Sequence, residues 1–284
     1  MRHSRCTRYM ATALLGMSMM AATLPALADD AMARIKKAGV IHVATEPGYK
    51  PFEYLEGENV IGYGPALLEE IFKNSAIKID RSNISFPAAI PGLLSNKYDM
   101  IATSLVITPE RAKKVAFTRP IAAIDWGFVV QTNCDNLTTI NDLMDKRVGA
   151  QVNSIPANRL NKIDDELRDH NGKGLRKIIT FSNYAEMQLA LQTNRIDAFI
   201  APTPMSKLLT DEKPGIFKIA FTDTSGGKML LSWAVRAHDK DLRNYINNRI
   251  EKIKQSGELD RIQSKWLKTS YDTPSDNYLP EGSL

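Results

Sequence analysis

Tyr98–Pro120 reads YDMIATSLVITPERAKKVAFTRP. Asp99–Thr103 has the short apolar run of a buried strand, and Thr103 and Ser104 place two hydroxyls at its end. Thr108 can cap a helix whose first turn holds Pro109 and Glu110, with Arg111 next. Hydroxyls, a helix N-terminus and a guanidinium therefore converge where a strand ends. That combination suits a small carboxylate, because arginine offers a planar two-pronged donor and the helix end offers N–H groups. Taken alone, the same residues also fit a capped surface helix carrying an ordinary surface arginine.

Working outward, Met32–Ala38 predicts a short amphipathic helix closed by Gly39, and Val40–Thr45 predicts a strand. Glu46–Tyr54 reads as a loop broken by Pro47 and Pro51, and Gly57–Gly64 as a hairpin. Pro65–Asn74 predicts a helix with Leu67, Leu68, Ile71 and Phe72 on one face, Ile77–Ile79 a strand and Pro87–Leu94 a short helix. The order β-α-β-α-β is that of a parallel sheet covered by helices. Beyond Pro120 the alternation continues. Strands are predicted at Gly127–Gln131, Arg147–Gln151, Ile178–Phe181 and Arg195–Ile200, with helices opened by Ser154 and Tyr184. Phe217–Thr222 and Met229–Val235 read as strands, Lys240–Gln255 and Leu259–Leu267 as helices, and the Pro/Ser/Asp-rich segment past Thr269 as a loose surface tail.

The central run resembles the core signature of the family 3 periplasmic solute-binding proteins, the polar amino-acid receptors of ABC importers. The matching residues are Asp99, Ile101, Thr103, Ser104, Ile107, Thr108, Arg111, Val115, Phe117, Thr118 and Pro120. The likeness extends through Tyr49-x-Pro51-Phe52-x-Tyr54 and the Arg147–Ser154 loop to Gly257…Ile262…Lys265-Trp266. It implies an α/β fold of two lobes, each a mostly parallel sheet flanked by helices, joined by two crossover strands. Residues 29–124 with 223–284 would form the first lobe and 125–222 the second. The ligand carboxylate would lie on Arg111, Thr103 and Ser104. Tyr49 would stack on the ligand, Glu46 would stand near it, and Asn153 and Ser154 would clamp it, Asn153 taking the place of a family glycine.

The chain departs from the family in two places. Gly62-Tyr63-Gly64-Pro65-Ala66-Leu67 lacks both aspartates usual after the hairpin. Pro202 stands five residues after Asp197, where an acid commonly holds the α-ammonium of an amino acid. The implied ligand is therefore an amino acid, a modified amino acid or a related small carboxylate. The implied partner is an inner-membrane ABC permease, and the implied role is binding, not catalysis. An enzyme on the same scaffold, like the periplasmic cyclohexadienyl dehydratases, is the alternative, with Glu46 as its candidate acid.

Composition narrows the remaining classes. Of the 284 residues, 43% are hydrophobic and the formal charge is +5. Arg2, Arg5 and Arg8 carry much of that excess, leaving +2 elsewhere, and no basic stripe with interleaved aromatics points to nucleic acid. The basic start, the apolar Met10–Leu24 run and Ala26-Leu27-Ala28 fit a signal peptide over 1–28, cleaved on export to the periplasm. Cleavage would leave Cys134 without an intramolecular partner. His42, His170 and His238 are scattered, and neither metal-ligand spacing nor a phosphate-cradling glycine loop occurs. No cofactor is expected, and a monomer is the default.

Overall fold

The computed structural model describes residues 30–284, so the expected signal peptide lies outside the described residues. Asp30 caps α1 (Ala31–Ala38) by accepting from the Ala33 N–H, and Gly39 ends it with φ 69°. Next come β1 (Val40–Thr45), β2 (Gly48–Tyr49), β3 (Glu53–Glu56), β4 (Asn59–Ile61), α2 (Tyr63–Phe72), β5 (Lys78–Asn83) and α3 (Ala89–Leu94). The central run folds as β6 (Met100–Val106), α4 (Pro109–Ala112) and β7 (Ala116–Phe117), followed by β8 (Ala122–Ile124). Every residue of β6 is buried, as its apolar sequence demands of a strand covered on both faces.

The chain then leaves this sheet through β9 (Trp126–Gln131) for a second unit. That unit holds β10 (Arg147–Gln151), α5 (Ile155–Asn171), β11 (Lys177–Phe181), α6 (Tyr184–Gln192), β12 (Ala198–Pro202), α7 (Thr203–Glu212) and β13 (Phe217–Asp223). It returns by β14 (Met229–Val235) to α8 (Lys240–Gln255) and α9 (Glu258–Leu267).

Strand order is β5-β1-β6-β14-β7 in the first sheet, with β8 also on β14, and β11-β10-β12-β9-β13 in the second. In each, three strands run parallel (β5, β1, β6 and β11, β10, β12) and the strands that carry the chain between lobes pair antiparallel. The sheets are therefore mixed, with a parallel half in each. Open sheets of this kind receive ligands beyond the carboxyl ends of their parallel strands. Here the ends of β1 and β6 face the end of β10 across the gap between lobes.

The segment after Thr269 is not loose. The Tyr271 N–H donates to Gln263 Oε1 at 2.6 Å, Ser275 Oγ to Glu251 Oε2 at 2.9 Å, and the Leu284 N–H to the Ala112 carbonyl at 3.0 Å. Thr273 is buried, and Leu279 rests on the apolar cluster formed by Ile101, Leu105, Ala112 and Phe117. A polar composition hides this docking, because its anchors are mostly hydrogen bonds to α8, α9 and a carbonyl of α4, with the half-buried Tyr271 and Leu279 as apolar contacts. Leu279→Asp is expected to lower stability by about 1–2 kcal/mol, the cost of losing a half-buried leucine. It should appear as a lower urea midpoint at unchanged slope.

Candidate functional site

β1 ends at Thr45, so Glu46 emerges into the gap, and Tyr49 follows on β2. β6 delivers Ser104 and Val106, and the short α4 holds Arg111. From the second lobe come Trp126 at the start of β9, Gln151 at the end of β10, and Ser154 and Tyr184 at the starts of α5 and α6. These side chains surround one cavity, with Phe86 over its edge. The enclosed space is about 20 Å³, where one ordered water needs roughly 10–15 Å³. The cleft is shut.

Arg111 sits where the sequence places it. Thr108 Oγ1 accepts from the Arg111 N–H at 3.2 Å, capping α4. The guanidinium donates to the Val106 carbonyl at 3.0 Å and across the gap to the Asn153 carbonyl at 3.3 Å. It also lies 5.3 Å from the centroid of Phe86, in cation–π range. Burial pushes it down to about 10, with Tyr49 and Glu110 opposing. Two of its five donors meet backbone carbonyls. A half-buried guanidinium with donors to spare gains from an anion placed against it.

Glu46 is the acid on the cavity wall among the described residues. It is 4% exposed, and burial lifts its carboxyl to about 7 against the opposing hydrogen bond from Gln151. That bond, Gln151 Nε2 to Glu46 Oε1 at 2.5 Å, joins the two lobes. Tyr49 is sandwiched between Phe52, at 4.8 Å and 22°, and Tyr184 of the opposite lobe, at 5.6 Å and 14°. At the rim, Lys50 Nζ pairs with Glu212 Oε1 of α7 at 2.6 Å. Together these contacts hold the lobes closed.

Asn153 adopts φ +57°, a left-handed conformation that asparagine tolerates better than most residues, consistent with its standing in for a glycine. Its carbonyl meets Arg111. Ser154 Oγ accepts from the Ala157 N–H at 3.3 Å, so the residue caps α5 and its side chain is turned to the helix. Thr103 and Ser104 have a partner the sequence does not announce. Both hydroxyls donate to Glu53, Thr103 Oγ1 at 3.4 Å and Ser104 Oγ at 2.9 Å. Ser104 borders the cavity, whereas Thr103 is fully buried behind it. Pro202 ends β12 opposite Trp126 and is not part of the cavity wall.

Tyr184, Gln151, Trp126 and Glu53 belong to this arrangement without being picked out by the sequence. Tyr184 reads there as a helix start, and Glu53 as a variable position between Phe52 and Tyr54.

The sequence profile of the bacterial extracellular solute-binding proteins, family 3, matches residues 41–269. The chain belongs to that family. A probable histidine-binding protein of Campylobacter jejuni is 30% identical to this solute-binding protein over 226 residues, 80% of this chain and 84% of the relative. Among solved structures, an ancestral arginine-binding protein bound to arginine superposes with a TM-score of 0.73 at 28% identity, covering 80% of this chain and 98% of that one. The ancestral amino acid-binding protein AncCDT-1, a precursor of cyclohexadienyl dehydratase, superposes at 0.72 and 25% identity, covering 83% and 99%. These family 3 relatives are named for binding.

Proposed function

We propose that this solute-binding protein captures an amino acid, or a closely related carboxylate bearing a cationic group, for an ABC transporter of the inner membrane. The observation that carries the reading is Arg111, a half-buried guanidinium held by two backbone carbonyls, one from each lobe, at the edge of the closed cleft. A ligand carboxylate would take its remaining donors, and on opening Tyr49 would exchange its stack on Tyr184 of the opposite lobe for one on the ligand body. The Asn153–Ser154 loop would close from the second lobe. Arginine and histidine, which relatives are named for, both carry a carboxylate and an ammonium and are the first candidates.

Pro202 offers no counter-charge, so the ligand's cation would be met from the first lobe, by Glu46. Residues 29–124 with 223–284 and residues 125–222 would move as two bodies about the β8–β9 and β13–β14 crossings. Hinge closure of this kind has the periplasmic binding proteins as its standard example. Export through residues 1–28 would place the mature protein in the periplasm, where it would act as a monomer.

The test is a thermal-shift panel of L-amino acids, with L-arginine and L-histidine first, each paired with its desamino carboxylate. A ligand at a hundred times its Kd adds roughly 2.7 kcal/mol, a clear rise in Tm. No shift with any amino acid or paired carboxylate would reject the reading.

A further inference from the structure

Glu53 is fully buried, lies outside the cavity wall, and has no part in the reading above. Its Oε1 receives the Ser104 hydroxyl at 2.9 Å and its Oε2 the Thr103 hydroxyl at 3.4 Å. Those are neutral donors, so the acid is not there to form an ion pair. Room for it is created by Gly64 in the first turn of α2. A Cβ at residue 64 would lie 2.4 Å from Glu53 Oε1 and 3.1 Å from its carboxyl carbon. The buried acid and the missing side chain thus occupy one site between them, and Gly64 is one of the positions where the family usually carries an aspartate.

The consequence for Ser104 follows from hydroxyl chemistry. A serine has one proton to donate and lone pairs to accept with. While Glu53 Oε1 accepts the Ser104 proton, only lone pairs are left for the cavity that Ser104 borders. The acid on that wall is Glu46, an acceptor when ionised, so the first lobe presents acceptors where a donor-bearing cation would have to sit.

We infer that Glu53 is a positioning residue for ligand selection: it fixes Ser104 Oγ as a hydrogen-bond acceptor toward the cleft, and Ser104 with Glu46 selects a ligand carrying a cationic N–H donor beside its carboxylate. The inference rests on the cleft being the ligand site, as proposed above. It replaces the family's acid on the second lobe by an acceptor pair on the first.

The experiment is calorimetric titration of the mature protein with its best L-amino acid from the panel and with that compound's desamino carboxylate. Glu53→Leu, Glu53→Gln, Gly64→Ala and Arg111→Ala are titrated in parallel. In the unaltered protein the amino acid should bind at least a hundredfold more tightly than the desamino compound. Glu53→Leu should cut that ratio roughly tenfold or more, the worth of a hydrogen bond to a charged group. Glu53→Gln keeps a carbonyl oxygen for Ser104 and should hold the ratio.

Gly64→Ala keeps the acid but drives it off Ser104. It decides the matter should Glu53→Leu fail to fold, and should also cut the ratio although alanine is the better helix former. Equal losses for both compounds in Glu53→Leu and Gly64→Ala, with the ratio intact, would mean a structural role and overturn the inference. So would an unaltered protein that binds the two compounds equally. Arg111→Ala separates the two readings: if it too binds normally, the cleft assignment falls and not merely the role of Glu53.

Discussion

Arg111→Ala is expected to weaken ligand binding by roughly 3–5 kcal/mol, several hundredfold or more, while leaving the fold as stable as before. Truncating one partner of a desolvated, hydrogen-bonded charge pair costs this much because the other charge is left buried and unpaired. With the lobes closed on a ligand, that other charge would be the ligand carboxylate, flanked by Tyr49, Tyr184 and Gln151. Stability should move little, for a physical reason visible in the structure. Burial already pushes the Arg111 guanidinium down to about 10, so its charge is held at a cost that alanine removes. Against this, alanine forfeits the bonds to the Val106 and Asn153 carbonyls, at 3.0 and 3.3 Å. The two effects oppose each other. A residue that matters greatly to binding and little to unfolding is one kept for function. Calorimetric titration and urea unfolding of the same preparation test the pair. Equal losses of affinity and stability would return Arg111 to the rank of a structural residue.

Much of the architecture is legible because local rules and the family signature agree. Thr108, Pro109 and Arg111 are spaced as a cap and first turn, and the structure forms that turn. Asn153 at φ +57° answers the expectation of a residue in a glycine's place. What is not legible depends on residues far apart in the chain. Glu53 meets Thr103 and Ser104 fifty residues downstream, and nothing in Pro51-Phe52-Glu53-Tyr54 says that the third residue turns inward. The absent side chain at residue 64 is the readable half of that arrangement, and only as a missing aspartate. Tyr184 and Gln151 belong to the site because the lobes close, and closure is not encoded in any local period. The tail after Thr269 is misread for a related reason. It is held by hydrogen bonds to α8 and α9 more than by apolar side chains of its own.

Glu46 should make unliganded stability and ligand affinity depend on pH with opposite signs. Its carboxyl is lifted from 4.5 to about 7 by burial, against the hydrogen bond from Gln151. Between those values the folded protein keeps a proton that the unfolded chain has released, so stability falls as pH rises from about 5 to about 7. The full effect of this one group is on the order of 3 kcal/mol, and Glu46→Gln should reduce the slope by that share, leaving the part due to Glu53. Of the groups facing Glu46, only Glu53 adds a slope of its own here, with the same sign. Gln151 is neutral, and burial pushes the phenols of Tyr49 and Tyr184 upward. Burial drives Glu53 upward as well, with Glu46 itself adding to the rise.

A ligand whose cation sits on Glu46 needs the carboxylate, so its affinity should climb through the same range, and binding should release a proton near neutrality. Titration at pH 6 in two buffers of different ionisation enthalpy reads that proton directly. Affinity that is flat or falling with pH would show that the cation is not at Glu46. Because Pro202 leaves the second lobe without an acid on the cavity wall, the acceptor would then have to be Ser104 backed by Glu53. The pH profile thus separates the contributions of two acids that a single substitution, in a cleft this tightly closed, would confuse.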